Sequence, residues 1–133
     1  MSKQYELKSK TFTIGALAIN SDAIKTILWR LNHAIRIDSV YFGADTACAA
    51  ADTNYNTISL TDITNVIAAI ANGPAATGST FAAGVPLVAT TTPVAAYCEL
   101  EAGDVLQIEC VKTGNGLALA GFFVQINYYD IST

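Results

Sequence analysis

The sequence predicts an all-β domain, an antiparallel β-sandwich with at most one or two short helical turns. Short segments throughout the chain alternate apolar and polar side chains, which is the pattern of a strand with one buried face. Turn-forming clusters of Gly, Asn, Thr and Pro separate these segments, and no heptad or internal repeat is present. At 133 residues the chain fits one domain, which should bury about two-thirds of its unfolded surface in a single core.

The clearest strand patterns lie in the second half of the chain. The apolar face of residues 105–111 consists of Leu106, Ile108 and Cys110. The apolar face of residues 117–130 consists of Phe122, Val124, Ile126 and Tyr128. Between the two segments, residues 113–116 (Thr-Gly-Asn-Gly) accept positive φ angles. We therefore expect the two strands to pair as a hairpin.

The first half of the chain contains further strand patterns. Residues 34–42 alternate with one phase slip at Asp38 and Ser39, which predicts a β-bulge. Residues 84–89 contain Pro86, which cannot donate a ladder hydrogen bond, so this strand should lie at a sheet edge. Additional strands are expected at residues 4–14, 55–60 and 97–100.

Two segments fit either a strand or a helix. Residues 21–31 place apolar side chains at helical spacing behind Ser21, a residue that caps helices, yet residues 26–31 also suit a strand. Residues 62–71 offer an apolar helical face followed by the stop signal Asn-Gly-Pro. The β-branched content of this second segment weakens the argument for a helix, and both alternatives stay open for each segment.

The composition favours a protein that becomes part of an assembly. Hydrophobic residues make up 52% of the chain and charged residues only 14%, so one small domain would leave much apolar surface exposed. The net charge is −4, and no dense basic face suggests a nucleic-acid partner. No apolar run resembles a membrane span or a signal peptide. We expect a soluble protein that is synthesised in a cytoplasm.

Catalytic and metal-binding patterns are missing from the sequence. His33 is the only histidine, and a turn or a strand end is the simplest explanation of its position. The carboxylates of Glu99, Glu101 and Asp104 are expected to decorate a turn. The oxygens of Asp52, Asn54 and Asn56 resemble the start of a calcium loop, but neither its glycine nor its closing glutamate is present. We expect no enzymatic activity, no metal and no cofactor.

The three cysteines are predicted to be small buried or half-buried thiols. Cys48, Cys98 and Cys110 are widely spaced and include no CxxC pair, so they do not suggest a zinc site. A bridge between Cys98 and Cys110 is an alternative if their strands are neighbours.

The segment 100–108 carries the most informative pattern. Its Ala-Gly-Asp turn leads into an alternating strand, where Gly allows the bend and Asp can bond back to the backbone. With the Ala-Ala-Asp-Thr-Asn-Tyr stretch at 50–55 and the Thr/Ala/Gly-rich middle, residues 25–130 resemble the jelly-roll capsid decoration (cement) proteins of tailed bacteriophages. The predicted fold class is therefore a β-sandwich of jelly-roll type. Other jelly-roll proteins share the same turn.

This resemblance implies a virion structural protein on the exterior of a phage head. Such a protein is expected to bind the major capsid protein, to bridge capsid subunits and to form a homo-oligomer, most simply a trimer. The alternative is a carbohydrate- or receptor-binding module of a viral fibre on the same fold. A sugar platform would have to use the aromatic residues Trp29, Tyr41, Tyr55, Tyr97, Tyr128 and Tyr129.

The N-terminal residues and several aromatic residues are the predicted protein interface. We divide the chain into residues 1–24, an arm with the first strand, and residues 25–133, the sandwich. Lysines concentrate in residues 1–10 of this acidic chain, so we expect that segment to order on contact with a partner. Tyr and Trp are enriched at protein interfaces. The predicted interface residues are Lys3, Tyr5, Lys8, Lys10, Trp29, Tyr128 and Tyr129.

Overall fold

The computed structural model describes residues 6–17, 24–74, 78–90, 97–114 and 119–131. Within these ranges the chain forms strands and turns. The strands are β1 (Leu7–Leu17), β2 (Ile24–Arg30), β3 (Ile35–Gly43), β4 (Tyr55–Thr61), β5 (Val66–Ala71), β6 (Leu87–Val88), β7 (Glu99–Leu100), β8 (Val105–Thr113) and β9 (Leu119–Asp130). No helix in the described ranges is long and apolar enough to cross a membrane.

Two antiparallel sheets pack against each other as a sandwich. Sheet 1 has the order β1-β9-β3-β6, with β7 also paired to β3, and sheet 2 has the order β2-β8-β4-β5. The chain crosses to the other sheet after most strands, and the hairpin of β4 and β5 is an exception. This double Greek-key arrangement is a jelly roll, which confirms the predicted fold class.

Strand alternation builds the core between the two sheets. The alternating faces predicted for residues 105–111 and 117–130 are both buried, which confirms that part of the prediction. Aromatic rings fill the centre, where Phe42 of β3 stacks on Phe122 of β9 with ring centroids 6.3 Å apart. The largest fully buried side chains are Phe42, Phe81, Phe122, Leu31, Ile35, Ile58, Leu60, Ile67, Ile70, Leu106 and Ile108.

The predicted β-bulge in β3 is confirmed. The pairing of β3 with β9 shifts its register between Ile37 and Ser39, which leaves Asp38 as the extra residue. The edge beside β3 is occupied by two short strands, because β7 pairs near the start of β3 and β6 pairs near its end. An edge strand was predicted at residues 84–89. The prediction is confirmed for residues 87–88, which form β6 at the edge of sheet 1.

The predicted hairpin between residues 105–111 and 117–130 is wrong. β8 pairs with β2 and β4 in sheet 2, whereas β9 pairs with β1 and β3 in sheet 1. Alternation shows which face of a strand is buried, but it does not show which strand lies beside it. Both strands bury apolar faces in the same core from opposite sides, so their patterns look like those of a paired hairpin.

The two ambiguous segments form strands where they are described. Residues 24–30 are strand β2, an edge of sheet 2 with a bulge between Ile27 and Trp29. In the second segment, residues 66–71 are strand β5 and residues 62–65 form the turn before it. Their β-branched side chains fit a sheet, and pairing with β8 and β4 satisfies the backbone groups.

The proposed N-terminal arm is partly wrong. Residues 7–10 belong to β1 and pair with β9, so they are part of the sandwich itself. Residues 1–5 lie outside the described residues. The strand expected at residues 4–14 is confirmed for residues 7–14, whereas the expectation that residues 1–10 order only on contact is wrong for residues 7–10, because β9 already supplies their backbone partners.

One end of the sandwich brings together the start of β1 and the end of β9, and we call it the proximal end. Leu7 pairs with Tyr129 there, and the turns 31–34, 62–65 and 101–104 lie at the same end. The turn at Gly103 follows the sequence prediction, since Gly103 has a φ of 96° and the Glu101 N–H donates to the Asp104 carboxylate at 2.8 Å. The loops 44–54 and 78–86 occupy the opposite, distal end.

Candidate functional site

The lysines of β1 lie on the side of the strand that faces the other sheet. Lys8 and Lys10 alternate with outward residues and share this side with Phe12, which packs against the core. Among the described residues, β1 is an edge of sheet 1 and pairs with β9 alone. The lysine stems can therefore follow the rim of the core while their ammonium groups reach the surface.

An aromatic cluster closes the gap between the edge strands β1 and β2. Trp29 meets Tyr128 edge-on with ring centroids 5.1 Å apart, and it meets Phe12 at 6.0 Å. The Lys10 Nζ lies 4.4 Å from the centroid of the Trp29 ring and 5.4 Å from that of Phe12. A cation over aromatic faces is stabilised by the ring quadrupole, which holds the Lys10 charge at this position.

A polar cluster lies beside the aromatic one at the proximal end. Asp130 accepts hydrogen bonds from the Lys8 ammonium through one carboxylate oxygen and contacts His33 Nε2 through the other. His33 Nδ1 contacts the side-chain oxygen of Asn32. The bond from Lys8 lowers the pKa of the Asp130 carboxyl, and the bond to Asp130 raises the pKa of the Lys8 ammonium.

The groups of this polar cluster contact one another and are partly exposed. Both ring nitrogens of His33 contact an amide or a carboxylate, so neither is directed at a hydroxyl or a thiol. Lys8 and Asp130 are partly exposed, with 46% and 31% of their side-chain surfaces accessible. The proximal end thus presents charged and amide groups around an aromatic cluster.

Several predicted interface residues come together at this end. The two adjoining clusters contain Lys8, Lys10, Trp29 and Tyr128. Tyr128 is only 9% exposed, so it belongs to the core and packs against Trp29. Tyr129 points to the opposite face of sheet 1. Lys3 and Tyr5 lie outside the described residues.

The sequence prediction missed Asp130 and Phe12 and assigned His33 to a turn or a strand end. Asp130 lies two residues after Tyr128, so it faces the same side of β9 as the predicted apolar residues. The alternation in the sequence could therefore have indicated its position. The proximity of Lys8 and His33 to Asp130 depends on strand order, which alternation does not contain.

The outer face of sheet 1 is a second grouping of aromatic and neutral polar side chains. Tyr129 lies at one end of it, with the Arg36 guanidinium 5.3 Å from its ring centroid. In the middle, the Gln125 amide donates to Asn127 at 3.2 Å, and the Asn127 amide donates to the Ser39 hydroxyl at 2.9 Å. The other aromatic residues on this face are Tyr41 and Phe123.

The cysteines do not form a disulfide among the described residues. The alternative bridge between Cys98 and Cys110 is wrong, because Cys110 lies in β8 of sheet 2 and Cys98 bonds through its backbone to β3 of sheet 1. Burial raises the pKa of all three thiols, that of Cys110 to about 11, so they are protonated at neutral pH.

The acidic side chains singled out in the sequence do not cluster as a set of metal ligands in the described part of the chain. No group of three or more His, Cys, Asp or Glu side chains there could hold a metal ion. Asn56 belongs to β4 and is only 5% exposed, and its N–H donates to the side chain of Asn72 at 2.8 Å. It therefore belongs to the core of the sheet and not to the exposed turn that contains Asp52.

Comparison with known proteins adds no relative. No family model, no curated protein and no solved structure matches this chain at a significant level.

Proposed function

We propose that this protein is a virion structural protein that binds the outer surface of a phage capsid and stabilises it by bridging capsid subunits. The observation that carries the proposal is the grouping of Lys8 and Lys10 with Trp29 at one end of a jelly-roll sandwich. The jelly-roll fold does not by itself decide the function, so the proposal rests on this site.

The lysine side chains of this site would contact acidic groups of the partner surface, and of the two the Lys8 charge is already paired with Asp130. The same end also carries carboxylates, those of Asp62, Glu101 and Asp104. The proposed contact is therefore local to Lys10 and Trp29 and does not depend on the net charge of the end. Lys10 is held against Trp29, which lowers the entropy lost when its charge meets a partner. The partner in this proposal is the major capsid protein.

Attachment through side chains is favoured over strand addition. Inward-pointing charges on an edge strand oppose pairing with a further strand, and β1 carries both Lys8 and Lys10 in that position. The expectation that residues 1–10 order on contact with a partner is replaced for residues 7–10, which already pair with β9. The protein is further proposed to act as a homotrimer without a cofactor, so that three binding ends engage the shell together.

Co-sedimentation with undecorated heads, built from the major capsid protein of the phage that encodes the chain, tests this proposal. The unaltered protein should saturate the heads, and Lys10→Glu should weaken binding by about tenfold or more because it places a negative charge at the contact. Lys25→Glu is the matched control, since it reverses one exposed charge on the outer face of sheet 2. Failure of the unaltered protein to bind would contradict the proposal.

The outer face of sheet 1 favours a second candidate function, a carbohydrate- or receptor-binding module. Tyr41, Phe123 and Tyr129 share this face with the neutral amides of Gln125 and Asn127. Sugars bind to surfaces that combine aromatic faces with neutral hydrogen-bonding groups. A glycan array that detects binding, lost in Tyr129→Ala and kept in Lys10→Glu, would favour this function over capsid binding.

A further inference from the structure

A β-branched residue with an unfavourable backbone conformation lies at the tip of the β4–β5 hairpin. Ile63 has a φ of 81°, in the left-handed region where a branched side chain crowds its own backbone. Every other residue with a comparable φ in the described ranges is a glycine. The proximal end thus contains the one described position where this conformation is combined with a branched side chain.

Hydrogen bonds from the neighbouring residues hold the tip in this shape. The Asp62 carboxylate accepts the N–H groups of Thr64 at 3.0 Å and Asn65 at 2.6 Å, and the Asp62 N–H donates to the Asn65 carbonyl at 3.1 Å. The Thr61 hydroxyl accepts the N–H of Ile63 at 3.3 Å. The conformation of Ile63 is therefore imposed by its surroundings.

The side chain of Ile63 lies outside the hydrophobic core of the sandwich. It is 56% exposed, and it belongs neither to the core cluster nor to the partly buried residues packed against that cluster. Asn or Gly would adopt the same φ at lower cost, and either would avoid exposing an apolar group to water. Backbone strain that is maintained by surrounding bonds is concentrated at contact and active sites.

The position of the tip indicates what it contacts. Thr61, which begins the turn, pairs with Gln107 near the start of β8, so Ile63 lies at the proximal end. Leu7, another apolar residue at that end, is 50% exposed. The tip, Lys8 and Lys10 therefore belong to the same end of the molecule, and a larger surface approaching the lysines would also meet the tip.

From this placement we infer that Ile63 inserts into an apolar pocket on the capsid subunit that the protein binds. This inference rests on the proposed function. A single branched side chain on a rigid tip fits a concave pocket, and its fixed conformation lowers the entropy lost on docking. The capsid subunit is chosen over a second copy of this chain because the tip lies at the same end of the sandwich as Lys10, a residue proposed to contact the shell.

Ile63→Asn separates the two effects of this residue. The variant should unfold at the same or a higher denaturant concentration than the unaltered protein, because Asn accepts the left-handed region. Its affinity for undecorated heads in co-sedimentation should fall by about tenfold or more. Val85→Asn, which replaces a 47% exposed apolar residue at the distal end, is the matched control and should bind like the unaltered protein.

The other possible results show whether the inference about Ile63 or the proposed function fails. If the unaltered protein binds heads and Ile63→Asn binds equally well, the inference is overturned while the proposed function stands. If the unaltered protein does not bind heads, both are overturned. A variant that unfolds more easily contradicts the strain argument, and a variant that loses its oligomeric mass shows that the tip contacts a second copy instead; either result overturns the inference.

Discussion

At the scale of single residues, Asp130 connects the termini of the sandwich. Its carboxylate contacts Lys8 near the start of β1 and His33 in the turn before β3, so one side chain joins three parts of the chain. Exposed ion pairs contribute little on their own. The importance of Asp130 lies in fixing the position of Lys8, one of the cations proposed to face the partner.

The pH dependence of stability tests the role of Asp130. Lys8 lowers the folded-state pKa of Asp130, so the ionised carboxylate stabilises the fold above the usual Asp range and this contribution is lost as the pH falls through the lowered pKa. In Asp130→Asn the melting temperature should therefore fall less steeply as the pH drops below about 4. Asp38→Asn controls for the loss of one negative charge. Identical acid profiles for the unaltered protein and Asp130→Asn would contradict this role.

Gly43 shows how a missing side chain shapes the outer face of sheet 1. A Cβ atom at this position would lie 2.8 Å from Cε1 of Phe123, so the phenyl ring occupies the space above the glycine. The ring therefore lies across β3, which adds an aromatic surface beside Tyr41.

A double-mutant cycle tests this contact. Gly43→Ala should destabilise the protein by roughly 1–3 kcal/mol, because the Phe123 ring must move from its place. In the Phe123→Ala background the same substitution should cost much less, and urea unfolding of the four proteins measures the coupling. Equal costs in both backgrounds would show that the ring does not lie over Gly43.

At the scale of elements, alternation identified the strands and their buried faces but not their partners. The inward positions of β8 and β9, the bulge at Asp38 and the bend at Gly103 were all predictable, because each depends on a few neighbouring residues. The pairing of β9 with β1 and β3 was not, because it depends on contacts between residues more than 80 positions apart, such as Ser39 and Asn127. The ion pair of Lys8 with Asp130 was hidden for the same reason.

Truncation of β1 distinguishes an arm from a strand. Deleting residues 1–10 removes four residues of the 11-residue strand and the Lys8 ion pair, so it should destabilise the sandwich by a few kcal/mol, at about 1 kcal/mol per backbone hydrogen bond. Deleting residues 1–5 should leave urea unfolding unchanged. Equal stability of the two truncated proteins would show that residues 7–10 do not stabilise the sheet.

At the scale of the whole molecule, the jelly roll leaves apolar side chains exposed on its surface. Ile27 on sheet 2 is 66% exposed and Val111 is 45% exposed. Together with the low content of charged residues, these side chains favour association with other protein surfaces. Self-association and binding to a shell both cover such surfaces.

Light scattering tests the predicted homotrimer. The protein at tens of micromolar should have a mass of three times the 14.0 kDa chain mass, because closed association covers apolar surface without forming open fibres. Two variants distinguish a loss of assembly from a loss of shell binding. Ile27→Lys should lower the mass measured by light scattering, whereas Lys10→Glu should keep that mass and weaken binding to heads in co-sedimentation. A strictly monomeric species would contradict the trimer.

We propose that this jelly roll binds a phage capsid and that its proximal end is the attachment site. Electron cryomicroscopy of undecorated heads incubated with the protein would show the attachment itself. We expect added density on the outer surface at junctions of capsid subunits, with the start of β1, Lys10 and Ile63 facing the shell. Heads without added density would contradict capsid binding, and density attached through the distal end or the outer face of sheet 1 would contradict the assigned attachment site.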